Sequence, residues 1–131
     1  MNPKMIKFIK EWLTIAEEDL KWAKDTYADG HYARTCFVSQ QVAEKSLKGF
    51  LYGTKENVKT HSLMRLMDLC SKVDPEFISL KENLLLLEPY YIGTRYPDIG
   101  DIERYNEQSL AEEALQSAEH ILDFVKKKIS K

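Results

Sequence analysis

The stretch PKMIKFIKEWLTIAEEDLKWAKDTYADG, residues 3–30, decides the fold class. Ile6, Ile9, Leu13, Ala16, Leu20, Ala23 and Tyr27 recur at intervals of three and four, the period of one helix face. Asn2 suits an N-cap, and Pro3 suits the first helical position, where no backbone N–H is needed. Asp29-Gly30 supplies the stop. Trp12, Ile15 and Trp22 widen the apolar face to about half the circumference, at roughly 100° per residue. A helix that apolar is expected to touch more than one neighbour, so the chain reads as a bundle.

The rest of the sequence continues this pattern. A second helix is expected from about His31 to Tyr52, stopped by Gly53, with Ala33, Cys36, Phe37, Ala43, Leu47, Phe50 and Leu51 on its apolar stripe. Residues 53–60 are polar and read as a loop. A third helix, Ser62 to Lys72, carries Leu63, Leu66, Met67, Leu69 and Cys70. Asp74-Pro75-Glu76 restarts the chain with a cap, a proline and a first-turn acid, and a fourth helix runs on to about Leu87 or Tyr91, with Pro89 ending or kinking it. Residues 92–106 hold Gly93, Pro97 and Gly100 and no helical period. Ser109-Leu110-Ala111-Glu112 reads as a capping box for the last helix, which ends in Lys126 to Lys128. The expected fold class is all-α, an antiparallel up-and-down bundle of four to five helices.

Composition agrees and narrows the function. The 131 residues suit a single domain, and only five Gly and four Pro punctuate them, so the elements are long. Net charge is −2, so no global cationic field draws in a polyanion, and any nucleic-acid contact is local. Cys36 and Cys70 are too few for a disulfide scaffold or a cysteine-based zinc site and point to a reducing compartment. The start of the chain, Met1-Asn2-Pro3-Lys4, has no apolar signal core, and the longest apolar run, Leu84 to Leu87, cannot span a membrane, so a cytoplasmic location is expected. No Glu-x-x-His spacing, P-loop, His-Glu-x-x-His or Cys-x-x-Cys occurs, and no metal or cofactor is expected.

Chemistry is therefore sought among polar residues on apolar faces. Asp19 falls within the apolar half of the first helix, and Gln40 and Glu44 fall on the inner stripe of the second. An acid there requires a partner, either a core ion pair that fixes helix register or part of a polar pocket. Arg34, Gln41, Lys45 and Lys48 share an outward stripe that suits phosphates or a solvated face, with Glu44 and Lys48 at pairing distance on the helix. Arg95 lies in Tyr90-Tyr91-Ile92-Gly93-Thr94-Arg95-Tyr96-Pro97-Asp98, an irregular aromatic segment that offers planar donors and flat faces to a base and a phosphate. The structural alternative is a loop whose tyrosines close one end of the bundle. His61 opens the third helix and is either a local cap or core histidine or an acid/base group.

These pieces, taken in order, resemble the HEPN family, the "higher eukaryotes and prokaryotes nucleotide-binding" domain. The resemblance rests on Ala16-Glu17-Glu18-Asp19-Leu20, Gly30-His31-Tyr32-Ala33, Gln40 to Lys48, Thr60-His61-Ser62-Leu63 and Arg95-Tyr96-Pro97-Asp98. It implies a helical bundle, often a homodimer, found in prokaryotes as a small stand-alone protein that accompanies a small nucleotidyltransferase in toxin–antitoxin-like pairs. Many such proteins are metal-independent ribonucleases with an arginine followed, after four to six residues, by a histidine. None of Arg34, Arg65, Arg95 and Arg104 has its histidine here.

Two readings follow. The first is a homodimeric binding module without nuclease activity. It takes nucleotide or RNA through Arg95, Tyr96, Asp98, Tyr91, Arg34, Lys45 and Lys48, docks a nucleotidyltransferase partner, or does both. The second is a ribonuclease with a rearranged site, using His61 and Arg95.

Overall fold

A computed structural model describes residues 3–54, 58–93 and 102–130. Its helices are α1 (Pro3–Ala28), α2 (Tyr32–Tyr52), α3 (Leu63–Val73), α4 (Lys81–Leu87), the single turn α5 (Tyr90–Gly93) and α6 (Gln108–Ile129). Tighter 3₁₀ turns, Pro75–Leu80 and Ile102–Tyr105, precede α4 and α6. The described residues contain no strand, and the fold is the expected all-α bundle.

α1 and α2 form an antiparallel hairpin with the most extensive packing in the molecule. The chain reverses at Gly30, whose φ of +80° lies in the left-handed region that glycine enters without steric cost. Small residues bring the two helices together. A Cβ on Gly49 would stand 3.0 Å from the Trp12 Cβ. Nearer the turn, the Thr26 and Thr35 hydroxyls meet at 2.9 Å. α6 runs antiparallel to α1, tied by Lys24–Glu119 and Lys126–Glu17 pairs.

α3 departs from simple alternation. The chain returns from the end of α2 along its side, so that the His61 carbonyl meets Gln40 and, one helix later, the Cys70 thiol faces the Leu47 carbonyl. α3 thus descends in the same sense as α2, and Pro75–Leu80 with α4 climbs back against α6, where Asn83 donates to Ser117. Phe77 is fully buried and joins these elements, with its ring centroid 4.4 Å from Phe50 and 5.0 Å from Phe124.

α2 does end at Tyr52 with Gly53 as its C-cap, at a φ of −65°, and the missing side chain there also admits Ile9, 2.9 Å from where a Cβ would stand. Several expectations change. Ile6, Ile15 and Trp22 are exposed, because α2 and α6 cover only one side of α1. The capping box is absent: α6 begins at Gln108, so Ser109 is already helical and caps nothing. Ser62 does cap α3 and Asp74 the turn that follows. Two further caps come from far along the chain. Glu88 accepts the Leu63 and Met64 N–H groups, both at 2.8 Å, and Asn106 Oδ1 accepts those of Tyr32 and Ala33.

Asn106→Ala is therefore expected to destabilise the protein by about 1 kcal/mol, the usual worth of a cap, in urea denaturation. Ser109→Ala should stay within about 0.5 kcal/mol of the parent, as at an ordinary surface site. The reverse ranking would restore the capping box.

Candidate functional site

The site grows from two turns of α2. Glu44 lies on the buried face, 4% exposed, where a carboxylate must recover the hydrogen bonds it gave up with water. Lys48, one turn on, donates to Oε2 at 3.0 Å, and Gln40, one turn back, donates to Oε1 at 3.3 Å. His61 closes the set, with Nδ1 at 3.1 Å from Oε2 and 3.3 Å from Oε1. Gln40 is fully buried; its amide nitrogen also donates to the His61 carbonyl, and its oxygen accepts from Gln41 at 2.7 Å.

An ionised carboxylate only accepts, so Nδ1 of His61 carries the hydrogen in this pairing. The imidazole side chain is nonetheless 57% exposed, and Nε2 is the nitrogen left to act outward. One face of the ring lies on Tyr91, at a centroid distance of 4.3 Å and an interplanar angle of 13°. Phe37 continues the row 6.3 Å from Tyr91, and the guanidinium of Arg34 stands over Phe37 at 5.5 Å. Arg34 is exposed and has no acidic partner among the described residues. The result is a strip along α2 that runs from Arg34 over two aromatic rings to an oriented histidine.

The outward cationic stripe is corrected. Lys48 is half-buried and held by Glu44, and Lys45 is half-buried and held by Asp19 across the α1–α2 hairpin. Only Arg34 of the expected set remains outward, because the close hairpin brings Asp19 against α2 and the helical repeat brings Glu44 beneath Lys48. Asp19, Gln40 and Glu44 are all turned toward neighbouring chain. Arg95, Tyr96 and Asp98 lie outside the described residues, and with them any meeting of Arg95 and His61. The stack of His61 on Tyr91 and its bond to Glu44 escaped sequence reasoning; Glu44 on an apolar face, which demanded a donor, was the available signal.

No group of three or more His, Cys, Asp or Glu among the described residues is placed to hold a metal. Both cysteines are buried, and that burial pushes each thiol up to about 12, so they stay protonated and unreactive at neutral pH. No described helix is long and apolar enough to cross a membrane.

A family model of the HEPN domain matches residues 9–128. The chain belongs to the HEPN domain family. A relative from Methanocaldococcus jannaschii, "Putative toxin MJ1304", is 28% identical over 134 residues, covering 92% of this chain and 88% of that one. Among solved structures, TT1696 from Thermus thermophilus is 40% identical with a TM-score of 0.82. ST0689, described as an archaeal HEPN homologue, is 31% identical with a TM-score of 0.76. Each alignment spans 92% of this HEPN domain and 97% of the neighbour, so the helical fold is shared over nearly all of its length.

Within this HEPN domain, Glu44→Ala should cost about 1–3 kcal/mol in chemical denaturation. That is less than the roughly 3–5 kcal/mol of a fully buried pair, because Lys48 and His61 can rehydrate. A loss below about 0.5 kcal/mol would show that the carboxylate organises nothing.

Proposed function

We propose that this HEPN domain is a homodimeric binding module that takes a nucleotide or RNA on the strip of Arg34, Phe37, Tyr91 and His61 and serves in a toxin–antitoxin-like pair with a nucleotidyltransferase. The observation that carries the binding site is the half-exposed His61–Tyr91 stack, with Arg34 at the other end of the row and no acidic partner for it among the described residues. Flat rings offer stacking faces to unpaired bases, and a planar guanidinium suits a phosphate. Arg95, Tyr96 and Asp98 follow Tyr91 closely in the chain and belong to the same proposed site. Lys45 and Lys48 move to a supporting role, since their charges are matched by Asp19 and Glu44. The toxin–antitoxin setting draws on the name of the Methanocaldococcus jannaschii relative. Dimerisation draws on α1, where Ile6 and Ile15 stay exposed and Phe8, Trp12 and Ile15, with Glu11, line a shallow, mostly apolar hollow.

One observation favours the enzymatic reading. A carboxylate on Nδ1 is the arrangement that orients a histidine for proton transfer through Nε2. No described arginine bonds to or stacks on that ring, so the charge-stabilising partner would have to be Arg95.

Fluorescence anisotropy with a labelled single-stranded RNA should show binding. His61→Ala should weaken it roughly 5- to 150-fold, the range of about 1–3 kcal/mol per stacked base. The same RNA should remain intact; cleavage that His61→Ala abolishes would establish the ribonuclease instead. Sedimentation at micromolar concentration should give twice 15.3 kDa, and a 15.3 kDa species alone would exclude the homodimer.

A further inference from the structure

A second aromatic feature adjoins the strip. Where the end of α1 meets the start of α2, a cleft of about 440 Å³ opens among Trp22, Thr26, His31, Arg34, Phe37 and Asn106. Its volume lies in the ordinary range for small-molecule sites, roughly 300–1,000 Å³. Trp22 contributes an indole that is 49% exposed, a large apolar side chain kept in contact with solvent. Phe37 provides a second aromatic surface. Around these rings the polar groups include a cation and several N–H donors. Arg34 has no acidic partner among the described residues, and the His31 ring is exposed. The Asn106 oxygen is committed to the Tyr32 and Ala33 N–H groups, so its amide has only N–H left to offer. The Thr26 hydroxyl is engaged by Ala23 and Thr35 and closes the wall. No acid is among the described lining residues. The cleft thus suits a flat ring with acceptors on its edge and a negative charge beside it, which is the chemistry of a nucleobase next to a phosphate.

Arg34 and Phe37 belong both to this cleft and to the strip that ends at His61. We infer that the ligand is a single-stranded oligonucleotide of at least two bases, one seated in the Trp22–Phe37 cleft and the next on Tyr91 and His61, with Arg34 on the phosphate between them. A mononucleotide fills only one of the two stacking places. The inference rests on the proposed binding role of the strip and adds to it a ligand length and a second base site.

The test compares adenosine monophosphate with the dinucleotide ApA by calorimetry, with tryptophan fluorescence as a second readout. ApA should bind at least about tenfold more tightly than the mononucleotide, a gain of about 1.4 kcal/mol or more, and should quench tryptophan emission. Trp22→Ala should reduce ApA to mononucleotide affinity, Trp22→Phe should restore most of the gain, and an unchanged melting curve should show that both variants fold. Equal affinities for the two ligands, or an ApA affinity indifferent to Trp22→Ala, would overturn the second site. If binding is equal for both ligands and still lost in His61→Ala, the strip survives and only the cleft falls. If neither ligand binds the parent protein, and a longer single strand fails as well, the strip and the cleft fall together.

Discussion

Glu44 places a carboxylate inside the bundle, and a charge taken out of water must be met there by hydrogen-bond donors. Lys48 and Gln40 come from its own helix at no topological cost. His61 does not: it arrives from the segment after α2, and Gln40 holds that segment by its backbone as well. The chain between α2 and α3 is thereby drawn back along α2 instead of leading straight into an antiparallel helix. This is why α3 starts beside the middle of α2 and descends with it, and why a histidine ring ends at the surface with one nitrogen already committed. Tyr91 then has a flat partner at 4.3 Å. One buried acid thus sets the path of a connector, the direction of a helix and the orientation of the histidine at the centre of the proposed site.

The far side of the site is fixed by a different device. Glu88 sits two residues before α5 and caps the start of α3 with both oxygens. Asn106 follows the turn Ile102–Tyr105 and caps the start of α2. A helix N-terminus presents unpaired N–H groups and a partial positive charge, so an anionic carboxylate and an amide oxygen are both well received there. The segment that carries Tyr91 and Arg95 is therefore tied at each end to a helix start. Asn106 also borders the cleft beside Trp22, so the same bond that finishes α2 helps shape the proposed second base site.

The helices were legible in the sequence because their signals are local. The three-four spacing of α1, the start of α3 near Ser62 and the Asp74-Pro75 restart depend on neighbours a few residues away, and the folded chain forms these elements where the spacing puts them. What escaped were contacts between distant residues. Glu44 was placed on an apolar face, but nothing in the spacing chose His61 as its partner. Lys45 and Lys48 were assigned outward because helical phase gives a direction around the helix axis; it does not say where the next helix stops covering it. The same gap explains Ile15 and Trp22: α1 does touch two neighbours, but both cover the same side and leave these residues exposed. Ser109 failed for a related reason: the last helix starts at Gln108 with Glu107 in the cap position, so a correct four-residue pattern fell two residues too late.

The pairing of the lysines changes what kind of recognition the proposed site can perform. With Lys45 matched by Asp19, Lys48 by Glu44 and a net charge of −2, little unpaired positive charge remains along α2 to follow a phosphate backbone. Long-range attraction to nucleic acid scales with the phosphates neutralised, and on this face Arg34 is the cation with no described acid against it. Affinity must then come from short-range contact between rings and bases. Duplex bases are stacked on one another and show only their edges, whereas a single strand can turn its bases outward onto Tyr91, His61 and Trp22. The proposed site, with matched lysines and aromatic rings at the surface, would therefore select against duplex by geometry, without the lysine-lined groove that collects polyanions indiscriminately.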